Sequence, residues 1–105
     1  MKGLRQSSDP SVLILTSLAG GPKHGHALAK DIHEFAGVTL GPGTLYGAIT
    51  RLEEQGLIEP LPTEDRRRPY RITKVGSESL VQALRDMHRI AETGASRLGS
   101  KVVFS

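Results

Sequence analysis

Apolar positions along the chain fall into four runs with helical spacing and two short runs without it. The first, Ser11–Ala19, carries Val12, Leu13, Ile14, Leu15 and Leu18 and is apolar on most sides. A helix of that kind must be buried nearly all round. Asp9-Pro10 opens it, since Asp caps a helix and Pro suits the first helical position, and Gly20-Gly21-Pro22 ends it. In the second run, His24–Ala36, Leu28, Ile32 and Phe35 form one stripe with Ala36 beside it, and Gly37 is a natural C-terminal cap. Val38-Thr39-Leu40 turns the chain into a third helix that opens at Gly41-Pro42 and stops at Gly56. Leu45, Ile49 and Leu52 face inward there. The opposite face carries Thr44, Gly47, Thr50, Arg51 and Glu54, with Tyr46 at its edge. Leu57–Leu61 and Pro69–Thr73 read as two strands around a polar turn, and Pro60 and Pro69 predict edge positions for both. Such a hairpin is marginal alone and must lean on the helices. Thr73 caps the fourth helix, with Gly76 and Ser77 in its first turn. Leu80, Leu84, Met87, Ala91, Gly94 or Ala95, and Leu98 then recur at spacings of three and four, a heptad-like seam.

At 105 residues the chain fits one small domain with a modest core, so part of its apolar surface is expected against a second copy. The seam residues Leu80, Leu84, Met87, Ala91 and Leu98, with Leu13 of the first helix, are the predicted homodimer contacts. A flexible polar arm is expected over 1–8, the main domain over 9–74, the dimerisation helix over 75–98 and a tail over 99–105. That tail is apolar at Val102, Val103 and Phe104. The chain has no cysteine, which excludes disulfides, thiolate metal sites and a catalytic thiol. Neither a signal-peptide core nor a membrane-length apolar run is present, so a cytoplasmic protein without a membrane partner is expected.

Charge sharpens this picture. Across Thr63–Lys74, five basic residues face two acidic ones, a surplus equal to the +3 of the whole chain. A surplus confined to one loop suggests a polyanion-binding patch. A polar-faced helix followed at once by a basic hairpin is the arrangement with which a helix enters the major groove and a hairpin grips the flanking backbone. The predicted fold class is therefore mainly α with a small β-hairpin: a winged helix-turn-helix plus a C-terminal dimerisation helix. The predicted partner is double-stranded DNA. Thr44 and Tyr46, in the first turn of the third helix, are placed to donate hydroxyls to phosphate beside free backbone N–H groups. Thr50 and Arg51 reach a base edge or a phosphate, and Arg51 on guanine would be worth about 1–3 kcal/mol of discrimination. Arg66, Arg67 and Arg68 grip phosphate or enter the minor groove. Lys23 and His24, before the second helix, are candidate backbone clamps. Leu28, Ile32, Phe35, Leu45, Ile49, Leu52 and Ile72 are the expected core, and Tyr70 leans to the core side.

Three rival classes fit less well. An enzyme would need a nucleophile, a phosphate loop or a close carboxylate pair, and none is legible; Gly20-Gly21-Pro22 lacks the Lys-Ser or Lys-Thr of a phosphate loop. No catalytic residue and no cofactor is expected. A metal-responsive regulator would use His24, His26, His33 or His88, but these lack the helical spacing of ligands on one face. No metal site is therefore assigned. A winged helix serving only protein association would not need the wing arginines.

Gly43-Thr44-Leu45-Tyr46, then Arg51-Leu52-Glu53, Gly56-Leu57-Ile58 and Arg67-Arg68-Pro69-Tyr70-Arg71-Ile72-Thr73, resemble the PadR family of bacterial transcriptional regulators. The resemblance covers about residues 10–90. It implies a homodimer joined through the C-terminal helix with help from the first, an operator of inverted-repeat character, repression of nearby genes, and release by a small-molecule effector. The chain departs from the family pattern at His26, where a Tyr is usual, at Gly47, and in a last helix without any aromatic residue.

Overall fold

The computed structural model describes residues 9–99. Their elements are α1 (Pro10–Ala19), β1 (Lys23–His24), α2 (Gly25–Ala36), α3 (Pro42–Glu54), β2 (Ile58–Pro60), β3 (Pro69–Ile72) and α4 (Lys74–Arg97). The arm over 1–8 and the apolar tail residues lie outside this range. The domain is mainly helical with a small antiparallel sheet, a winged helix-turn-helix in which α2 and α3 form the helix pair and β2–β3 the wing.

α1 starts where its caps predict. The Asp9 carboxylate accepts from the Ser11 N–H at 2.9 Å, and Pro10 occupies the first turn. Leu13, Ile14, Leu15 and Leu18 are all buried, because α1 packs at once against α2, α3, α4 and β3. The Ser17 hydroxyl donates to Asp31 of α2 at 2.6 Å and ties the two helices. Leu13, expected at a dimer seam, is thus spent inside its own chain at 6% exposure.

In α2, Leu28 and Ile32 are wholly buried, while Phe35 is 47% exposed. This corrects the expected core. The stripe runs on to the last turn of α2, past the length that its neighbours cover. Gly37 takes the left-handed conformation (φ 68°), its N–H donates to the His33 carbonyl, and the helix ends there.

α3 buries Leu45, Ala48, Ile49 and Leu52. Its end is a Schellman motif: Leu57 N–H donates to the Leu52 carbonyl at 2.9 Å, Gly56 N–H to Glu53 at 3.0 Å, and Gly56 is left-handed with φ 75°. Ile14, Leu18, Leu28, Ile32, Ile49, Leu52 and Ile58 are the largest fully buried side chains. Burying each stabilises the fold by about 1.5–3 kcal/mol.

The sheet corrects the predicted hairpin. It has three strands in the order β1-β3-β2, so β3 is central rather than an edge. Lys23 pairs with Tyr70 and His24 with Pro69, while Ile58, Glu59 and Pro60 pair with Ile72, Arg71 and Tyr70. Pro69 is tolerated because it is the first residue of β3, where its missing N–H interrupts no ladder. Its carbonyl still accepts from Leu61 N–H at 2.8 Å. The wing tip is a two-residue turn closed by reciprocal bonds between Glu64 and Arg67, with Asp65 at φ 47° and Arg66 at φ 66°.

α4 is capped by Thr73, whose hydroxyl accepts from Gly76 N–H at 3.0 Å. Only Gly76 and Leu80 of this 24-residue helix are buried. Leu80, expected at the dimer seam, packs in the core of its own chain. The later seam positions Leu84, Met87 and Leu98 remain 43%, 39% and 57% exposed, and Ala91 is exposed as well. Val81 and Ile90, which lie outside the expected seam, add 46% and 70% exposed apolar side chains to this stretch of helix.

Candidate nucleic-acid interface

β1, α2, α3 and the wing converge on one cleft of about 180 Å³, lined by His24, Gly25, His26, Tyr46, Arg66, Arg67, Arg68 and Tyr70. β1 and α2 supply the first three residues, α3 supplies Tyr46, and the wing and β3 supply the rest. The pairing of β1 with β3 holds the wing beside the start of α2.

Tyr46 projects from the first half of α3 and lies across Gly25, the first residue of α2. A Cβ at position 25 would overlap the Tyr46 hydroxyl and come within 2.7 Å of its Cζ. Glycine here therefore makes the seat for the ring. Tyr46 remains 50% exposed and lines the cleft.

His24 caps α2: its Nδ1 accepts from Ala27 N–H at 3.3 Å. Nε2 lies 3.4 Å from Arg67 Nη1, a contact that ties the start of α2 to the wing. The Tyr46 hydroxyl lines the same cleft. A cleft rimmed by donors and cations suits an anionic oxygen, and the helix N-terminus favours the same charge.

Among the described residues, the ion pairs are Lys23–Asp31, Arg71–Glu59, His88–Glu92 and Arg89–Asp86. Arg51, Arg66, Arg67 and Arg68 enter none of them. Arg71 is neutralised across the sheet by Glu59, so the positive charge of the wing rests on its three tip arginines, which stand beside Glu64 and Asp65. Tyr70 is half-buried behind them. Its phenol is pushed above the ordinary 10.0, first by burial and then by the Glu53 carboxylate, with Arg68 acting in the opposite direction.

The outer face of α3 presents Thr44, Thr50 and Arg51, all exposed. Thr50 donates its hydroxyl to the Tyr46 carbonyl at 2.9 Å, leaving only its lone pairs for a ligand. Arg51 folds back along the helix, with Nη1 3.8 Å from where a Cβ on Gly47 would stand. Gly47 leaves the floor beneath that guanidinium flat.

Of the residues singled out in the sequence, His24, Tyr46, Arg66, Arg67 and Arg68 meet in the cleft, and Thr44, Thr50 and Arg51 share the exposed face of α3. Lys23 does not join them. Its ammonium donates to the Ser17 carbonyl and lies 3.9 Å from Asp31, with 22% of the side chain exposed. It serves the C-terminus of α1, where a cation is favoured. Gly25, His26 and Tyr70 were missed as cleft residues. The rings of His24 and His26 stack with centroids 6.4 Å apart. Among the described residues, no group of three or more His, Asp or Glu side chains is placed to hold a metal ion.

A helix pair offering an exposed polar face, beside a wing whose three tip arginines enter no ion pair among the described residues, is the arrangement of a winged helix-turn-helix domain. Residues 14–82 match the transcriptional regulator PadR-like family. The chain belongs to that family. An uncharacterized 37.1 kDa protein in transposon TN4556 of Streptomyces fradiae is 41% identical over 86 residues, 82% of this chain and 25% of that protein. The chain thus spans about a quarter of that relative's length. A transcriptional regulator from Clostridium thermocellum superposes with a TM-score of 0.76 at 28% identity, over 88% of this chain and 97% of the other. A PadR family transcriptional regulator from Eggerthella lenta does so with a TM-score of 0.72 at 28% identity, over 88% and 82%. No helix among the described residues is long and apolar enough to cross a membrane.

Proposed function

We propose that the protein acts in the cytoplasm as a homodimeric repressor on an operator of inverted-repeat character. α3 lies in the major groove with Thr50 and Arg51 toward the bases and Thr44 on the backbone. The cleft between Tyr46, His24 and the wing holds a backbone phosphate, and Arg66 at the tip reaches the flanking groove. The observation that carries this reading is the cleft itself, where His24, Tyr46 and the three wing-tip arginines meet and, among the described residues, no carboxylate forms an ion pair with those arginines.

Dimer formation is supported by α4. Beyond Leu80 its large apolar residues Val81, Leu84, Met87 and Ile90 stay exposed. Burying Leu84, Met87, Ile90 and Leu98 against a second copy would contribute roughly 1 kcal/mol each, about half the value for complete burial. A twofold dimer presents its recognition helices to a twofold operator. A small molecule that binds one arrangement of the two subunits better than another would change DNA affinity by that differential alone.

Mobility shift with the DNA upstream of the protein's own coding sequence, across a salt series, tests the reading. Binding should weaken steeply with salt. Arg67→Ala with Arg68→Ala should abolish it, and Tyr46→Ala should weaken it at least tenfold, while sedimentation still reports a dimer. Binding that survives both changes would refute the assigned surface. If no duplex is retained even in an unbiased selection of DNA sequences, the winged domain serves a protein partner.

A further inference from the structure

The joint between α3 and α4 is unusually well fastened for a chain turn. After the Schellman motif, the Gly56 carbonyl accepts the Thr73 hydroxyl at 2.7 Å and the Leu57 carbonyl accepts Thr73 N–H at 3.0 Å. The same Thr73 hydroxyl takes the Gly76 N–H at 3.0 Å. One side chain therefore bonds the end of the recognition helix and the start of the long helix together. Gly76 then lies flat on Leu57. A Cβ there would overlap the Leu57 carbonyl oxygen and approach Leu57 C and Ile72 Cγ1 at 2.9 Å. The obstacle is backbone, so it cannot swing aside as a side-chain end would. Gly76 is not among the residues with positive φ, and its requirement is closeness rather than backbone freedom.

We infer that Thr73 and Gly76 are positioning residues that set the half-site spacing of the operator. The inference rests on the dimer reading above. If α4 is fixed in the seam between subunits, this joint, together with the packing of Leu80 and α1, fixes the direction in which each recognition helix is carried. Relieving a Cβ at Gly76 needs roughly 1 Å of separation to regain contact distance. Leu80, about 6 Å further along the helix, stays seated, so the joint tilts by about 10°. Across half of the 31 Å second dimension of the molecule, that tilt moves α3 by roughly 3 Å, close to the 3.4 Å per base of one strand. The shift is therefore about one base pair per half-site. Base preference within the half-site is left alone, because neither residue lies on the DNA-facing side of α3 or in the cleft.

The test uses the whole protein and a set of duplexes in which two copies of the selected half-site are separated by one-base-pair increments. The wild-type protein should show a single sharp optimum. Gly76→Ala and Thr73→Val, each checked for folding by thermal melt and for dimerisation by sedimentation, should move that optimum by about two base pairs, one for each half-site, or flatten it. Thr73→Ser keeps both hydroxyl bonds and should retain the wild-type profile. Affinity for an isolated half-site should change less than threefold in all three. If Gly76→Ala does not fold, Thr73→Val against Thr73→Ser decides the matter. Folded, dimeric variants with the wild-type optimum and width would overturn the inference alone. A wild-type protein indifferent to spacing would overturn the dimer reading, and this inference with it.

Discussion

Replacing Gly25 by alanine should cost DNA binding without costing the fold. The added Cβ would overlap the Tyr46 hydroxyl and meet Cζ and Cε1 at 2.7 and 2.9 Å. Those atoms are the far end of a side chain that is 50% exposed, so the ring can swing outward instead of the helices separating. Because the ring can swing out and no backbone atom is among the nearest contacts, stability should change by less than about 1 kcal/mol. Binding has no such relief. A hydroxyl donating to a charged phosphate contributes about 1.5–3 kcal/mol, or roughly ten- to over a hundredfold in half-site affinity. Tyr46→Phe should lose most of that amount, and Gly25→Ala should lose a similar amount. On a Tyr46→Ala background, Gly25→Ala should do nothing further, giving a coupling energy nearly equal to the single effect. Fluorescence anisotropy with a labelled half-site duplex, beside thermal melts, measures all corners of the cycle. If Gly25→Ala weakens binding equally with and without Tyr46, glycine is not acting as the ring's seat and the argument fails.

Three further outcomes follow from the wing and its surroundings. Arg66 is held at φ 66°, a conformation that costs a non-glycine residue roughly 1 kcal/mol. Arg66→Gly should raise the melting temperature slightly while lowering the salt slope of binding by about one per half-site; an unchanged slope would remove Arg66 from the interface. Lys23→Ala should destabilise the fold by about 0.3–2 kcal/mol through the C-terminus of α1, and should leave the salt slope alone. A reduced slope would return Lys23 to the DNA surface. In Tyr46→Phe protein Tyr70 is the sole tyrosine, so its phenolate absorbance reports it directly. The midpoint should lie above 10.0, since burial raises it. The folded state holds that proton more tightly than the unfolded state does. The stability tied to it is therefore complete below pH 10 and lost as pH rises through the folded value. Tyr70→Phe should move the alkaline edge of unfolding upward, and a midpoint at or below 10.0 would refute the assignment.

Punctuation carried most of the fold. Asp9-Pro10, Gly37, Pro42, Gly56 and Thr73 each act locally, through a cap bond or a backbone angle, and the structure uses every one at a helix end. What escaped reading depends on distance in the chain. β1 has two residues and hence no period, and it is a strand only because Pro69 and Tyr70 come back beside it. That return also places β3 in the middle of the sheet despite its proline. Leu13 and Leu80 have the same helical phase whether they meet their own core or a second subunit, and only the packing of α1 on α4 decides. Phe35 belongs to the correct stripe but overruns its partners. Within the site, the arginines were legible because charge adds along a loop. Gly25 was not, since the ring it receives comes from 21 positions later.

The pairing of β1 with β3 has a kinetic consequence. Because His24 and Pro69 are already partners, the arginine-bearing loop is held in place before any duplex arrives. A wing that had to order on contact would subtract its lost freedom from the binding energy and slow each productive encounter. This one enters prearranged, so association should proceed near the rate at which opposite charges find each other. Differences among operators should then appear mainly in how long each complex lasts.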